Sequence, residues 1–250
     1  MGISAAMLSF VLLVSERIAG EGASAATAAI SQHARWQKKC LSRGVTPIHN
    51  PEKTRSDHSG LEYPNVEMCE GISFARRREW HARPPKAVNN INIQGGVSYL
   101  FYHHTEEKEC FCKESCAEII LMWQVVHQEC QGWSDIGYNF LIGGSGIVFE
   151  GRGWDHTGAH TVGFNSMSVS FGFIGNYSNQ VPNALMLQAA RNLTKCGIQL
   201  KKISPNYTLH GQVDADCWDS PGKAFYELMK NMSHFGGKLP NWKCTPSPWD

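Results

Sequence analysis

From Val97 the chain becomes regular: VSYLFYHH is an aromatic and β-branched run suited to a buried strand, and it closes on two histidines. Cysteines at 110 and 116 bracket a short turn. After it, Cys116, Ile119, Ile120, Trp123 and His127 recur at helical spacing, which predicts a helix of about three turns lying across a sheet. Gly132 to Gly137 ends that helix. YNFLIG and IVFEG, joined through Gly143-Gly144-Ser145-Gly146, then read as a β-hairpin. SVSFGFIG is a further strand, and Asn183 supplies an N-cap for a helix carrying Leu185, Ala189, Leu193 and Cys196, which Gly197 is expected to stop. YTLH, ending at His210, is strand-like. A last helix after Pro221 presents Ala224, Phe225, Leu228, Met229 and Met232 on one side. Strands alternating with helices predict an α/β fold with a central mixed β-sheet flanked by helices, a single domain over residues 69 to 236.

The two ends read differently. Ala5 to Val14 is an apolar run followed by Ala23-Ser24-Ala25, small residues that suit a signal peptidase, so residues 1 to 25 are expected to be a signal peptide. The run is half of the ~20 residues a membrane span needs, and no transmembrane segment is predicted anywhere. Residues 26 to 68 are polar, basic in patches and interrupted by Pro47, Pro51 and Pro64, which describes a partly disordered extension and not a second domain. Residues 237 to 250 read as a C-terminal tail, fastened through Cys244.

Composition narrows the partners. With 23 basic and 22 acidic residues the net charge is +1, which offers nucleic acid no field to follow. Four sequons, at Asn176, Asn192, Asn206 and Asn231, and nine cysteines favour a secreted, extracellular chain, because an oxidising compartment is where so many thiols are kept as disulfides. Nine is odd, so at least one thiol lies outside any intramolecular pair.

Candidate chemistry gathers at strand ends, where α/β sheets hold ligands. His103 and His104 end one strand, and alternation sends their rings to opposite faces, so one of them at most reaches a site on a given face. Either ring also suits a purely structural role. His210 opens HGQVDADCWDSPG. Two histidines plus a thiolate or carboxylate make up a catalytic zinc site, but spacing alone does not bring the three segments together.

YHHT, GWSDIGYNFLIGGSGIVFEGRGW, TGAHTVGFNSMSVSFGFIGNY, the cysteine pair of CFCKESC and the final SPG together resemble the peptidoglycan recognition proteins, relatives of the phage-type zinc N-acetylmuramoyl-L-alanine amidases. The resemblance covers about residues 69 to 236. It implies a groove for the muramyl peptide of bacterial peptidoglycan and, in amidase members, a zinc held at the positions of His103, His210 and Ser220, with Tyr138 assisting catalysis. It also implies disulfides Cys110–Cys116 and Cys69–Cys196, and leaves Cys40, Cys112, Cys130, Cys217 and Cys244 unassigned. The candidate substrate-binding residues are His103, His127, Tyr138, Trp133, Arg152, His160 and Asn165, with the pair Asp155 and His156 at a position tied to the third residue of the stem peptide. An aspartate there would attract a lysine-type side chain; the alternative is a solvated surface acid.

The third zinc position departs from the amidases. A serine hydroxyl stays protonated near neutral pH and is a poor ligand, so zinc is expected to bind weakly or not at all and the chain to bind without cleaving. Nine residues also lie between His210 and Ser220, where the family usually has seven. The longer turn offers Cys217, Asp214, Asp216 or Asp219 as a substitute ligand, which is the route to the alternative reading, an active amidase; a disulfide from Cys217 to Cys130 or a tail cysteine is the competing role. The basic stretch from 31 to 58 allows a third reading, a scaffold for other immune proteins.

Overall fold

The computed structural model describes residues 69, 71–106, 108–240, 242 and 244; the expected signal peptide, the extension and Cys40 lie outside the described residues. The strands are β1 (Phe74–Ala75), β2 (Val97–His104), β3 (Phe140–Ile142), β4 (Val148–Glu150), β5 (Ser168–Phe173) and β6 (Ile203–Gly211), and the helices are α1 (Lys113–Val125), α2 (Ala184–Gln199) and α3 (Lys223–Met229). They form a six-stranded sheet in the order β1-β4-β3-β5-β2-β6. Only the β3–β4 hairpin is antiparallel. The sheet is therefore mixed.

Period-two alternation sorts the side chains into two layers. Leu100, Tyr102, Phe140, Ile142, Val169, Phe171 and Phe173 pack with α2 and α3 on one side, where Phe225 meets Tyr102, Phe173 and Tyr177. Leu141 and Phe149 pack on the other side with Ile120 and Trp123 of α1. α1 covers only part of that second face. Phe101, His103 and His210 lie on the remainder, over β2 and β6.

Helix ends differ from the expectation for physical reasons. α2 starts as expected, with the Asn183 side chain accepting the Leu185 and Met186 amides. It runs through Gly197 to Gln199, because Gly197 serves close packing and not termination: a Cβ there would lie 2.7 Å from Trp154 and 2.8 Å from Ile203. α1 continues into a single π-helical turn, Val126–Cys130, which carries His127. α3 is seven residues long, and Met232 packs against the core from the turn beyond it. β6 begins earlier than YTLH suggests. Its pairing jumps from Val97↔Ile203 to Tyr99↔Thr208, a bulge that takes Pro205 out of the ladder at the sheet's edge.

Three disulfides close among the described residues: Cys69–Cys196, Cys110–Cys116 and Cys217–Cys244. Cys130 is also disulfide-bonded and Cys112 is a free, exposed thiol. The third bond fastens the C-terminal segment through Cys244, as the sequence suggests. Leu239 donates its amide to the Asp214 carbonyl at 2.9 Å, and the Trp242 indole donates to Val213 and Asp216 carbonyls at 3.0 and 2.8 Å, so this segment is docked on the 212–217 turn. No helix among the described residues is long and apolar enough to cross a membrane.

Candidate functional site

The uncovered part of the sheet is walled by aromatic rings. Tyr99 and Phe101 stand with His103 on one face of β2, and Phe164 closes over them with ring centroids 5.3 and 5.6 Å from Tyr99 and Phe101. The His160 ring lies 6.0 Å from Phe101 and 5.3 Å from His103. Tyr138 comes from the loop before β3 and sits 5.6 Å from His103, over Gly172, where a Cβ would fall 3.1 Å from the tyrosine ring. Glycine at 172 thus lets Tyr138 lie flat on β5, with its hydroxyl 3.4 Å from the His104 carbonyl.

His103 is the hub. Its Nδ1 is 3.4 Å from the Ser220 hydroxyl and its Nε2 is 3.4 Å from the Thr161 hydroxyl, which is in turn 3.0 Å from His160 Nδ1. Burial, then the neighbouring His104, lowers the His103 pKa to about 3, against a raising hydrogen bond from Gln212. His160 is pushed well below the ordinary histidine value by burial, then by His103 and Arg152, and its Nε2 is buried without a hydrogen-bond partner. Burial, then Glu106, raises the Tyr138 pKa. Burial thus favours the neutral forms of His103, His160 and Tyr138.

Those neutral histidines give the fold an acid liability. His103 and His127, with folded pKa values near 3 and 98% or more buried, do not take up protons that the unfolded chain binds below about 6.5. The stability they contribute is therefore present above about pH 6.5 and is lost as pH falls toward 3, by up to about 1.4 kcal/mol per pH unit for each ring. Urea midpoints recorded at pH 7, 5.5 and 4 are expected to fall steadily; a flat series would contradict the burial of these rings.

His210 does not complete a metal site. Its Nδ1 lies 2.8 Å from the Gly237 carbonyl, which can only accept, so that nitrogen carries the proton. Its Nε2 lies 2.8 Å from the Thr208 hydroxyl, so both ring nitrogens have partners within the chain. The substitutes suggested by the longer turn are otherwise occupied. Cys217 is bonded to Cys244; Asp214 accepts from the Gly211 amide and the Tyr226 hydroxyl; Asp216 accepts from the Trp218 amide and Gln212. Asp219 is exposed. Among the described residues no three His, Cys, Asp or Glu side chains are grouped for a metal ion. Two imidazoles, one of them hydrogen-bonded through both ring nitrogens, and a hydroxyl do not fit catalytic zinc.

Several other candidates serve the fold. Arg152 donates to the Ile136, Thr157 and Asp135 carbonyls at 2.6, 2.8 and 3.3 Å, so its guanidinium latches the loop under Tyr138. His127 is stacked between Trp123 and Trp133 and accepts the Gly137 amide at 3.0 Å. Asn165 accepts the His160 and Thr161 amides, shaping the His160 loop from behind. Asp155 is ion-paired with Lys202, which answers its charge within the chain. His156 faces the Arg152 carbonyl at 3.1 Å and bridges to Asn90. Thr161, Gln212 and the Tyr99–Phe101–Phe164 wall were missed in the sequence, although alternation along β2 placed Tyr99 and Phe101 on the His103 face.

Comparison with known proteins agrees with this geometry. Residues 93–223 match the family described as N-acetylmuramoyl-L-alanine amidase. Peptidoglycan-recognition protein SC1a of Drosophila melanogaster is 33% identical over 170 residues, covering 68% of this chain and 91% of that one. Among solved structures, Drosophila peptidoglycan recognition protein SA superposes with a TM-score of 0.65 at 34% identity, covering 68% of this chain and 96% of that one. Peptidoglycan recognition protein LE, in complex with tracheal cytotoxin, a monomeric diaminopimelic acid-type peptidoglycan, gives a TM-score of 0.64 at 33% identity over 66% and 96% of the two chains.

Proposed function

This chain belongs to the N-acetylmuramoyl-L-alanine amidase family, among its peptidoglycan recognition proteins, and from that premise we propose that it binds muramyl peptides of bacterial peptidoglycan in innate immunity without cutting them. The observation that carries the reading is the Ser220 hydroxyl beside His103, in the place of the thiolate that zinc would need. What remains is a recognition surface. Aromatic rings offer flat apolar contact, and His160 Nε2, buried and unpartnered, offers a neutral polar group to the amides and hydroxyls of a stem peptide. The rival reading, a zinc-dependent amidase, has the family description in its favour and the donor set against it.

Secretion belongs to the same proposal. The apolar leader with its small-residue site, the four sequons and the disulfides all suit an exported chain.

Calorimetric titration of the secreted protein with a monomeric muropeptide tests the binding reading. Saturable binding is expected, unchanged by a zinc chelator, and weakened at least about tenfold by His160→Ala, because the substitution leaves ligand groups unpaired in a buried setting. Absence of binding, or its loss on chelation, would overturn the reading.

A further inference from the structure

A second cavity, of about 530 Å³, opens on the opposite side of the sheet from the groove. Tyr102 and Leu209 line it; each is next in sequence to a groove-face residue, His103 and His210 respectively, and alternation sends neighbours to opposite faces. Leu187 and Ile198 of α2, Tyr207 of β6 and Met232 after α3 add apolar wall, and Thr194, Gln199, Ser233 and His234 add polar groups. The volume falls within the ~300–1,000 Å³ range of small-molecule sites.

Its rim is cationic. Arg191 and Lys195 lie one helical turn apart on the exposed side of α2, and both line the cavity. Arg191 donates to the Gln188 side chain at 2.7 Å. Among the described residues neither cation has a carboxylate within 4.0 Å, whereas Lys113, Lys202 and Lys230 are each ion-paired. An apolar chamber under two uncompensated cations calls for a ligand with a long apolar body and one anionic head.

We propose that this cavity is a second ligand site for a single-chain amphipathic carboxylate of the fatty-acid class, its chain among Leu187, Ile198, Leu209 and Met232 and its head between Arg191 and Lys195. The volume of about 530 Å³ and the two neighbouring cations suit a small occupant with one anionic head.

Calorimetry with dodecanoate below its micellar concentration tests the site, with dodecanol as the neutral comparison. The native protein is expected to bind one dodecanoate saturably and dodecanol at least about tenfold more weakly. Arg191→Glu combined with Lys195→Glu is expected to weaken dodecanoate at least about tenfold with an unchanged thermal midpoint, since both side chains are exposed. Leu187→Trp, which fills the chamber, is expected to abolish binding; if that variant does not fold, the charge-reversed pair and the dodecanol comparison decide. No saturable binding to the native protein, equal binding of dodecanol, or full binding by the charge-reversed variant would each overturn the proposal.

Discussion

Replacing Ser220 by cysteine is expected to raise the affinity for zinc by at least about 100-fold, more than the 10–100-fold that an outer-shell partner commonly contributes. The serine is 97% buried with its hydroxyl 3.4 Å from His103 Nδ1, so a thiolate placed there would meet an imidazole that burial already keeps neutral and able to donate its lone pair. Hydrolysis is not expected to return with the metal, because His210 is held through Nδ1 by the Gly237 carbonyl and through Nε2 by Thr208. Competition against a chromophoric chelator measures the gain. An unchanged affinity would mean that the hydrogen-bonded setting of His210, and not the missing thiol, keeps zinc out.

The second large effect concerns the support beneath Tyr138. Asp135 is 4% exposed and accepts from the Arg77 guanidinium at 2.9 Å, the Gln124 amide at 2.6 Å and the Ile136 amide at 2.8 Å. Asp135→Ala removes one partner from a buried network and leaves a largely buried guanidinium without its counter-charge, a change that costs about 3–5 kcal/mol. Because Arg77 also donates to the Gly151 and Arg83 carbonyls and is 17% exposed, the lower end, about 3 kcal/mol, is expected, read as a shift in urea midpoint at constant slope. Asp135→Asn, which keeps an acceptor, is expected to lose less. The exposed Lys230–Glu227 pair supplies the contrast: Glu227→Gln should cost less than about 0.5 kcal/mol. Equal effects at the two positions would refute the network.

Most of the scaffold was legible because local rules and tertiary packing agree there. The β2 run, the Asn183 cap and the hairpin through Gly143–Gly146 each announce themselves in a few residues. Gly197 misled because glycine marks two different needs, helix ends and close approach, and only the Trp154 ring across the interface distinguishes them. The site was legible as a set of residue types, less so as a set of roles. Arg152 and Asp155 looked like ligand-seeking charges, and their partners, loop carbonyls and Lys202, lie on segments whose meeting no spacing reveals. Cys217 was open between thiolate and disulfide until the docked 237–244 segment brought Cys244 to it. Thr161 was hidden differently: it carries no charge, and only its distances to His103 and His160 mark it.

Release of free stem peptide from purified muropeptides by the native protein, with zinc added and with a chelator control, decides between gripping and cutting. Binding without release in either condition is the predicted result and would leave Ser220 as the residue that retired the metal site. Zinc-dependent release would contradict it, and would require His210 to leave its present hydrogen bonds to Gly237 and Thr208 to complete a ligand set.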